Sequence, residues 1–219
     1  MKKNTTRRTW LRQCTLLGLA VAAPVIHAAS PARHAPVILV LGDSLSAEYG
    51  LTRGKGWVAL LEQQLAQEKI GATVVNASIS GDTTSGGRSR LPALIKRHAP
   101  DIVILELGAN DALRGLPLSM TRDNLTAMAR SSREAGARVV VVGMQMPPNY
   151  GRKYAEDFHA VFTGVAQDQQ AALVPFLLKG VADVPNAEAN FQPDRIHPKE
   201  SAHPTMLANV WPALKPLLR

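Results

Sequence analysis

A three-layer α/β domain built on a parallel sheet is the fold class that this sequence predicts. Two observations predict it. Five short apolar runs alternate with segments of helical periodicity, the pattern of strands that each return through a covering helix. The fourth run carries four successive valines, Val139 to Val142, as a strand buried on both faces requires. The 219 residues suffice for one domain of about 190 residues with a full core, preceded by a leader.

The leader comes first. Lys2, Lys3, Arg7, Arg8 and Arg12 make a basic start without an acid, Leu16–Ile26 is apolar, and Ala28, Ala29 and Ser30 are small. A spanning helix needs roughly 20 apolar residues, so residues 1–29 read as a secretory signal peptide cut between about 28 and 32. Thr6–Arg12 also carries a twin-arginine pattern. A periplasmic or secreted protein is expected, with no membrane span once the leader is removed.

The domain follows over residues 36–219. Val37–Leu41 is a strand bounded by Gly42. Trp57–Lys69, with Val58, Leu61 and Leu65 at helical spacing, is a helix, and Thr73–Asn76 is a short strand. Leu91–Arg97 is helical and Asp101–Leu107 is a strongly apolar strand. Ser119–Ala135 is a helix ended by Gly136, and Ala137–Gly143 is the valine-rich strand. Tyr150–Gln170 is helical, Ala171–Phe176 is a strand and Ser201–Leu218 closes the chain as a helix. The longest loop is Lys179–Arg195, and long loops in compact domains are often functional.

Charge and cysteine usage exclude several classes. The chain is +8, with 25 basic and 17 acidic residues; removing the leader's five basic residues leaves 20 against 17, or +3. The basicity belongs mostly to the leader, which argues against nucleic acid as a partner. Cys14, the single cysteine, lies in the leader, so the mature protein has no disulfide. No cluster has the spacing of a metal site. Neither a G-x-S-x-G elbow nor a phosphate loop is present, since Ser46 stands where the second glycine would be and Gly86-Gly87 lacks the G-K-[ST] end.

The chemistry gathers at the strand ends. Open α/β sheets bind ligands at the carboxyl edge of their strands. Ser44 follows the first strand, Ser78-Ile79-Ser80-Gly81-Asp82-Thr83-Thr84 the second, and Gly108-Ala109-Asn110-Asp111 the third. A serine hydroxyl needs a base, and histidine is the usual one near neutral pH. Asp194 precedes His197 by three residues, a spacing that lets the carboxylate accept an imidazole N–H. Gly81, with no Cβ, lets its N–H approach an oxyanion closely; Asn110 and the Ser44 N–H offer further donors. Leu113, Leu116 and Pro117 after the third strand, and Met144, Met146, Pro147 and Tyr150 after the fourth, are candidates to line an acyl groove or equally to pack as ordinary loop.

Each residue also has a plainer reading. Ser44 serves as a cap, Asp43 as a turn residue, Gly81-Asp82-Thr83 as a turn and helix cap, Asn110-Asp111 as an Asx turn, and Asp194 and His197 as surface groups. Glu200-x-x-His203 repeats the acid-to-imidazole spacing, though such pairs inside a helix are usually surface partners. His34, His98 and His159 have no acid at that spacing and read as surface residues.

Gly42-Asp43-Ser44-Leu45, Gly81, Gly108-Ala109-Asn110-Asp111 and Asp194-x-x-His197 resemble the four blocks of the SGNH, or GDSL, hydrolase superfamily. The resemblance covers essentially the whole mature chain. Ser78–Thr84, Glu106–Gly115 and Pro148–Gly151 are similar to its bacterial periplasmic acyl-CoA thioesterase, lysophospholipase and arylesterase branch. It implies a flavodoxin-like α/β/α domain, Ser44 as nucleophile, Asp194 and His197 completing a triad, an oxyanion hole of the Ser44 N–H, Gly81 and Asn110, and no cofactor. It implies acyl esters and thioesters, of lipids or small molecules, as substrates of a monomeric enzyme. Ala109 departs from the pattern by one methyl group where relatives carry glycine. A carbohydrate O-acetyl esterase on the same scaffold and a non-catalytic envelope binding protein are the alternative readings.

Overall fold

The structure, a computed structural model, describes residues 35–218. The expected leader over residues 1–29, with Cys14, lies outside the described residues, as does His34. Five strands, β1 (Val37–Gly42), β2 (Thr73–Asn76), β3 (Ile102–Glu106), β4 (Arg138–Val142) and β5 (Ala172–Val174), form one sheet. All pair in parallel, in the order β2-β1-β3-β4-β5. This is the flavodoxin-like order, with the flanking helices making the three layers.

The helices are α1 (Trp57–Gln67), α2 (Thr84–His98), α3 (Ala109–Leu113), α4 (Leu118–Glu134), α5 (Arg152–Asp168) and α6 (His203–Leu214). Crossovers between parallel strands are right-handed. The chain steps from β1 outward to β2 and then back across β1 to β3, so α1 covers one face and α2, α4 and α5 the other. In keeping with this, α1 packs against α6, while α4 packs against both α2 and α5. Ile38 to Leu41 and Ile102 to Leu105 are wholly buried because both faces of these strands are covered. The direction of stepping reverses between β1 and β3. At such a switch point the loops leaving the two strands diverge and open a crevice.

Several boundaries differ from the sequence expectation. Helix α2 starts at Thr84, seven residues before Leu91. Thr83 caps it, its side chain accepting the Gly86 N–H at 3.4 Å. The Gly86-Gly87 pair lowers helix propensity, but a Cβ at Gly87 would clash with Leu107 Cδ1. Close packing of this helix on the sheet therefore outweighs propensity, and Pro92 is carried inside the helix. The segment Ala109–Leu113, expected as loop, is the short helix α3. Strand β5 is only three residues long, and the final helix ends in a 3-10 turn over Lys215–Leu218. The long loop contains a 3-10 turn, Ala187–Asn190, and ends on an antiparallel bridge between Phe191 and Pro198. Among the described residues no helix is long and apolar enough to cross a membrane.

Candidate active site

Ser44 stands two residues past β1 in a tight turn, where the Ala47 N–H donates to the Asp43 carbonyl at 3.0 Å. Asp43, Leu45 and Ser46 are buried and anchor this turn, leaving Ser44 to face the crevice. Its Oγ lies 2.9 Å from His197 Nε2. His197 Nδ1 lies 2.7 Å from Asp194 Oδ2. The other Asp194 oxygen accepts the N–H groups of Ile196 and His197 at 2.9 and 3.0 Å. Partial burial raises the Asp194 pKa, but these backbone N–H groups and the imidazole outweigh it and hold the carboxyl down at about 2. Asp194 therefore stays ionised through the neutral range and keeps the imidazole in the tautomer whose Nε2 is free to take a proton.

The loop that carries this pair is tied down at several points. The Gln192 N–H donates to the His197 carbonyl at 2.8 Å, and the Gln192 side-chain amide donates to the Tyr49 and Pro198 carbonyls at 2.9 and 3.1 Å. The Tyr49 ring covers the imidazole, with centroids 4.2 Å apart. Nothing in the spacing around Tyr49 signals this contact.

No described residue accepts the backbone N–H of Ser44 or of Gly81. Gly81 takes a positive φ of 77°, a conformation that favours glycine, and its carbonyl accepts Arg114 at 2.7 Å. The Asn110 amide donates to the Asp82 carbonyl at 2.9 Å and to Asp43 Oδ2 at 3.1 Å. Asp43 and Asn110 both border the cavity.

That cavity holds about 510 Å³ and runs from Ser44 and His197 over Leu45, Met144, Met146, Pro147, Phe176, Leu178 and Phe191. Leu113 borders it; Leu116, Pro117 and Tyr150 are not among its lining residues. Pro117 caps α4, and Tyr150 closes a 3-10 turn with its ring 40% exposed. Gly81 also lies outside the lining.

The same architecture is found among known proteins. Residues 40–204 match the model of the GDSL-like Lipase/Acylhydrolase family. The chain belongs to that family. It is 50% identical over 184 residues to the esterase TesA of Pseudomonas aeruginosa, covering 84% of this chain and 90% of that protein. It is 38% identical over 187 residues to thioesterase 1/protease 1/lysophospholipase L1 of Escherichia coli K12, covering 85% and 87% respectively. A crystal structure of TesA superposes with a TM-score of 0.79 at 50% identity, over 83% of this chain and 99% of that one. This GDSL acylhydrolase is thus an ester-hydrolysing enzyme.

The rival pair makes other contacts. His203 is buried, and its Nδ1 accepts the Trp57 N–H at 3.0 Å, capping the start of α1. Burial pushes its pKa down, in keeping with a neutral acceptor. Glu200 turns instead to Lys55, 3.9 Å away. His98 and His159 are half-buried rather than on the surface.

Beneath Ser44 lies a polar network that periodicity did not reveal. Glu106 is buried and accepts the Ser46 hydroxyl at 2.6 Å and the Asp43 N–H at 3.3 Å, while Trp57 Nε1 donates to Ser46 at 3.2 Å. The available signal is that Glu106 is a lone carboxylate ending an otherwise wholly apolar strand. Asp111 is also buried; it accepts the Thr84 N–H at 2.9 Å and the Thr84 hydroxyl, joining α3 to α2. Burial pushes Asp43 up to about 7, opposed by the Leu45 N–H and Asn110; burial and the nearby Asp43 push Glu106 well up.

Two outcomes follow from these contacts. His203→Ala should lower unfolding free energy in urea by about 1–3 kcal/mol, the cost of a buried N–H left unpaired, and leave turnover per folded molecule within about twofold. Collapse of turnover with the fold intact would restore His203 as a base. The second concerns pH. A raised carboxyl pKa adds stability that is complete below the ordinary carboxylate range and is lost as pH rises through the native value. Glu106→Gln should therefore be less destabilised, relative to wild type, at pH 8 than at pH 5; an equal deficit in thermal melts at both would refute it.

Proposed function

We propose that this protein is an exported serine hydrolase that cleaves carboxylic esters and thioesters of apolar acyl chains through an acyl-enzyme on Ser44. The observation that carries this reading is the relay from Asp194 through His197 to Ser44, at 2.7 and 2.9 Å, opening onto an apolar cavity. Ser44 Oγ attacks the carbonyl carbon as His197 Nε2 takes its proton. The oxyanion receives the Ser44 and Gly81 N–H groups and the Asn110 amide. The bond to the leaving alcohol or thiol breaks, and His197 returns the proton to it. Water, deprotonated by His197, then attacks the ester on Ser44, releasing the acid and restoring the serine.

Lipid and aryl esters fit better than acetylated sugars. The cavity of about 510 Å³ far exceeds an acetyl group and is walled by methionine and other apolar side chains. Methionine adapts to chains of varied shape. Two relatives are named esterase and thioesterase/lysophospholipase, which agrees. Coenzyme A thioesters are poor natural candidates for an exported enzyme, so lysophospholipids and aryl esters lead.

The test is hydrolysis of p-nitrophenyl esters from acetyl to palmitoyl. Ser44→Ala and His197→Ala should each lose at least about 10⁴-fold in kcat/KM, and Asn110→Ala about 10²–10³-fold in kcat. Activity confined to acetyl would favour the sugar deacetylase, and none on any chain the binding protein. Export of the full chain should yield an amino terminus between residues 28 and 32 on N-terminal sequencing; a retained Met1 would refute the leader.

A further inference from the structure

Large apolar side chains exposed singly are ordinary on a protein surface, so their placement decides what they mean. Among the described residues the exposed ones are Tyr49, Ile79, Leu113, Tyr150 and Ile196. Every one lies in a connection leaving the carboxyl end of a strand: Tyr49 after β1, Ile79 after β2, Leu113 after β3, Tyr150 after β4 and Ile196 after β5. They share the carboxyl edge of the parallel sheet, the edge on which the cavity opens. Tyr49 stacks on His197, Leu113 and Ile196 border the cavity, and the Ile79 N–H donates to the Gly42 carbonyl at 3.0 Å, two residues from Ser44. Apolar side chains clustered around a cavity mouth mark an interaction surface.

The charges on this edge point to the partner. Arg53, Arg114 and Arg195 are exposed within four residues of Tyr49, Leu113 and Ile196. Most carboxylates of the same loops are turned inward or engaged, with Glu188 left exposed. Asp43 and Asp111 are buried, Asp82 pairs with Arg90 at 2.8 Å, and Asp194 holds His197. Glu48 accepts the Gly54 and Gly56 N–H groups, and Asp183 accepts the Gly180 N–H at 2.5 Å. The outward balance is apolar and cationic, which suits a bilayer with anionic headgroups: the apolar side chains enter the headgroup boundary and the arginines meet the phosphates. Tyrosine is at home at that depth.

We infer that the rim formed by Tyr49, Ile79, Leu113, Tyr150 and Ile196 docks the molecule, cavity mouth down, on an anionic lipid surface. The acyl chain of a lipid ester then passes from the bilayer into the cavity without crossing water. The docking stands on the surface itself; the lipid ester as substrate rests on the esterase reading above.

Flotation with phosphatidylcholine vesicles, with and without phosphatidylglycerol, tests this. The Ser44→Ala protein, which leaves the lipid intact, should float with the phosphatidylglycerol vesicles and weakly with the neutral ones. Ile79→Asp with Tyr150→Asp should lower that partition at least about tenfold. Arg53→Glu, on a separate loop, should lower it at least about fivefold. In the Ser44 background the double variant should hydrolyse soluble p-nitrophenyl butyrate as wild type does, and vesicle-borne lysophospholipid about tenfold more slowly. No flotation of the parent, equal flotation on neutral vesicles, or unchanged flotation of the variants would each overturn the docking. A dimer in sedimentation velocity that the double variant abolishes, without vesicle binding, would assign the rim to a second copy and overturn it too. Failure of the esterase reading would show separately, as wild type inert on the soluble ester, while flotation still decides the docking.

Discussion

Glu106 lies opposite Gly42 in the parallel pairing of β1 and β3, and the geometry around Ser44 depends on that register. A parallel strand buried on both faces is apolar throughout, so its side-chain pattern alone specifies register weakly. One polar group at the strand end removes the ambiguity. Glu106 accepts the Ser46 hydroxyl and the Asp43 N–H, so the turn presenting Ser44 is hydrogen-bonded to the neighbouring strand. A slip would leave a buried carboxyl without these donors, at a cost of several kcal/mol. Gly42 is part of the same device, because a Cβ there would stand 2.7 Å from Glu106 Oε2.

From that anchor the rest of the candidate site is assembled by the reversal of strand order. The loops after β1 and β3 part at the switch point, setting Ser44 on one side of the crevice and Asn110 on the other. Asn110 closes the crevice floor through Asp43 and Asp82. His197 arrives from far along the chain, on a loop that returns past β5. Its position is set by Asp194, Gln192 and the Phe191–Pro198 bridge. Next to it, His203 takes the first N–H of α1 and pins the following helix. The two similarly spaced acid and histidine pairs thus divide into one that faces Ser44 and one that caps a helix.

The cavity lining divides by polarity: Asp43, Ser44, Asn110 and His197 bring hydrogen-bonding groups to it, and methionine, leucine and phenylalanine side chains supply its apolar part. The same division accounts for the ionisation of the site. Asp194, partly exposed and hydrogen-bonded, is held low, while Asp43 and Glu106 beneath the turn are pushed up by burial.

By itself the sequence determined the alternation of strands and helices, the parallel sheet, the family blocks and the candidates Ser44, Asn110, Asp194 and His197. These are legible because each rests on local pattern: apolar runs, turn residues, an acid three residues before a histidine. Only the tertiary structure decided the rest. It started α2 at Thr84 because Gly87 lets the helix approach Leu107, and it left Leu116 and Pro117 off the cavity lining. It brought Phe176, Leu178 and Phe191 to the wall, placed Tyr49 on His197, and made His203 a cap. Each of these outcomes depends on which distant residues share a surface. That is set by strand order and chain closure, and no short window of sequence carries it.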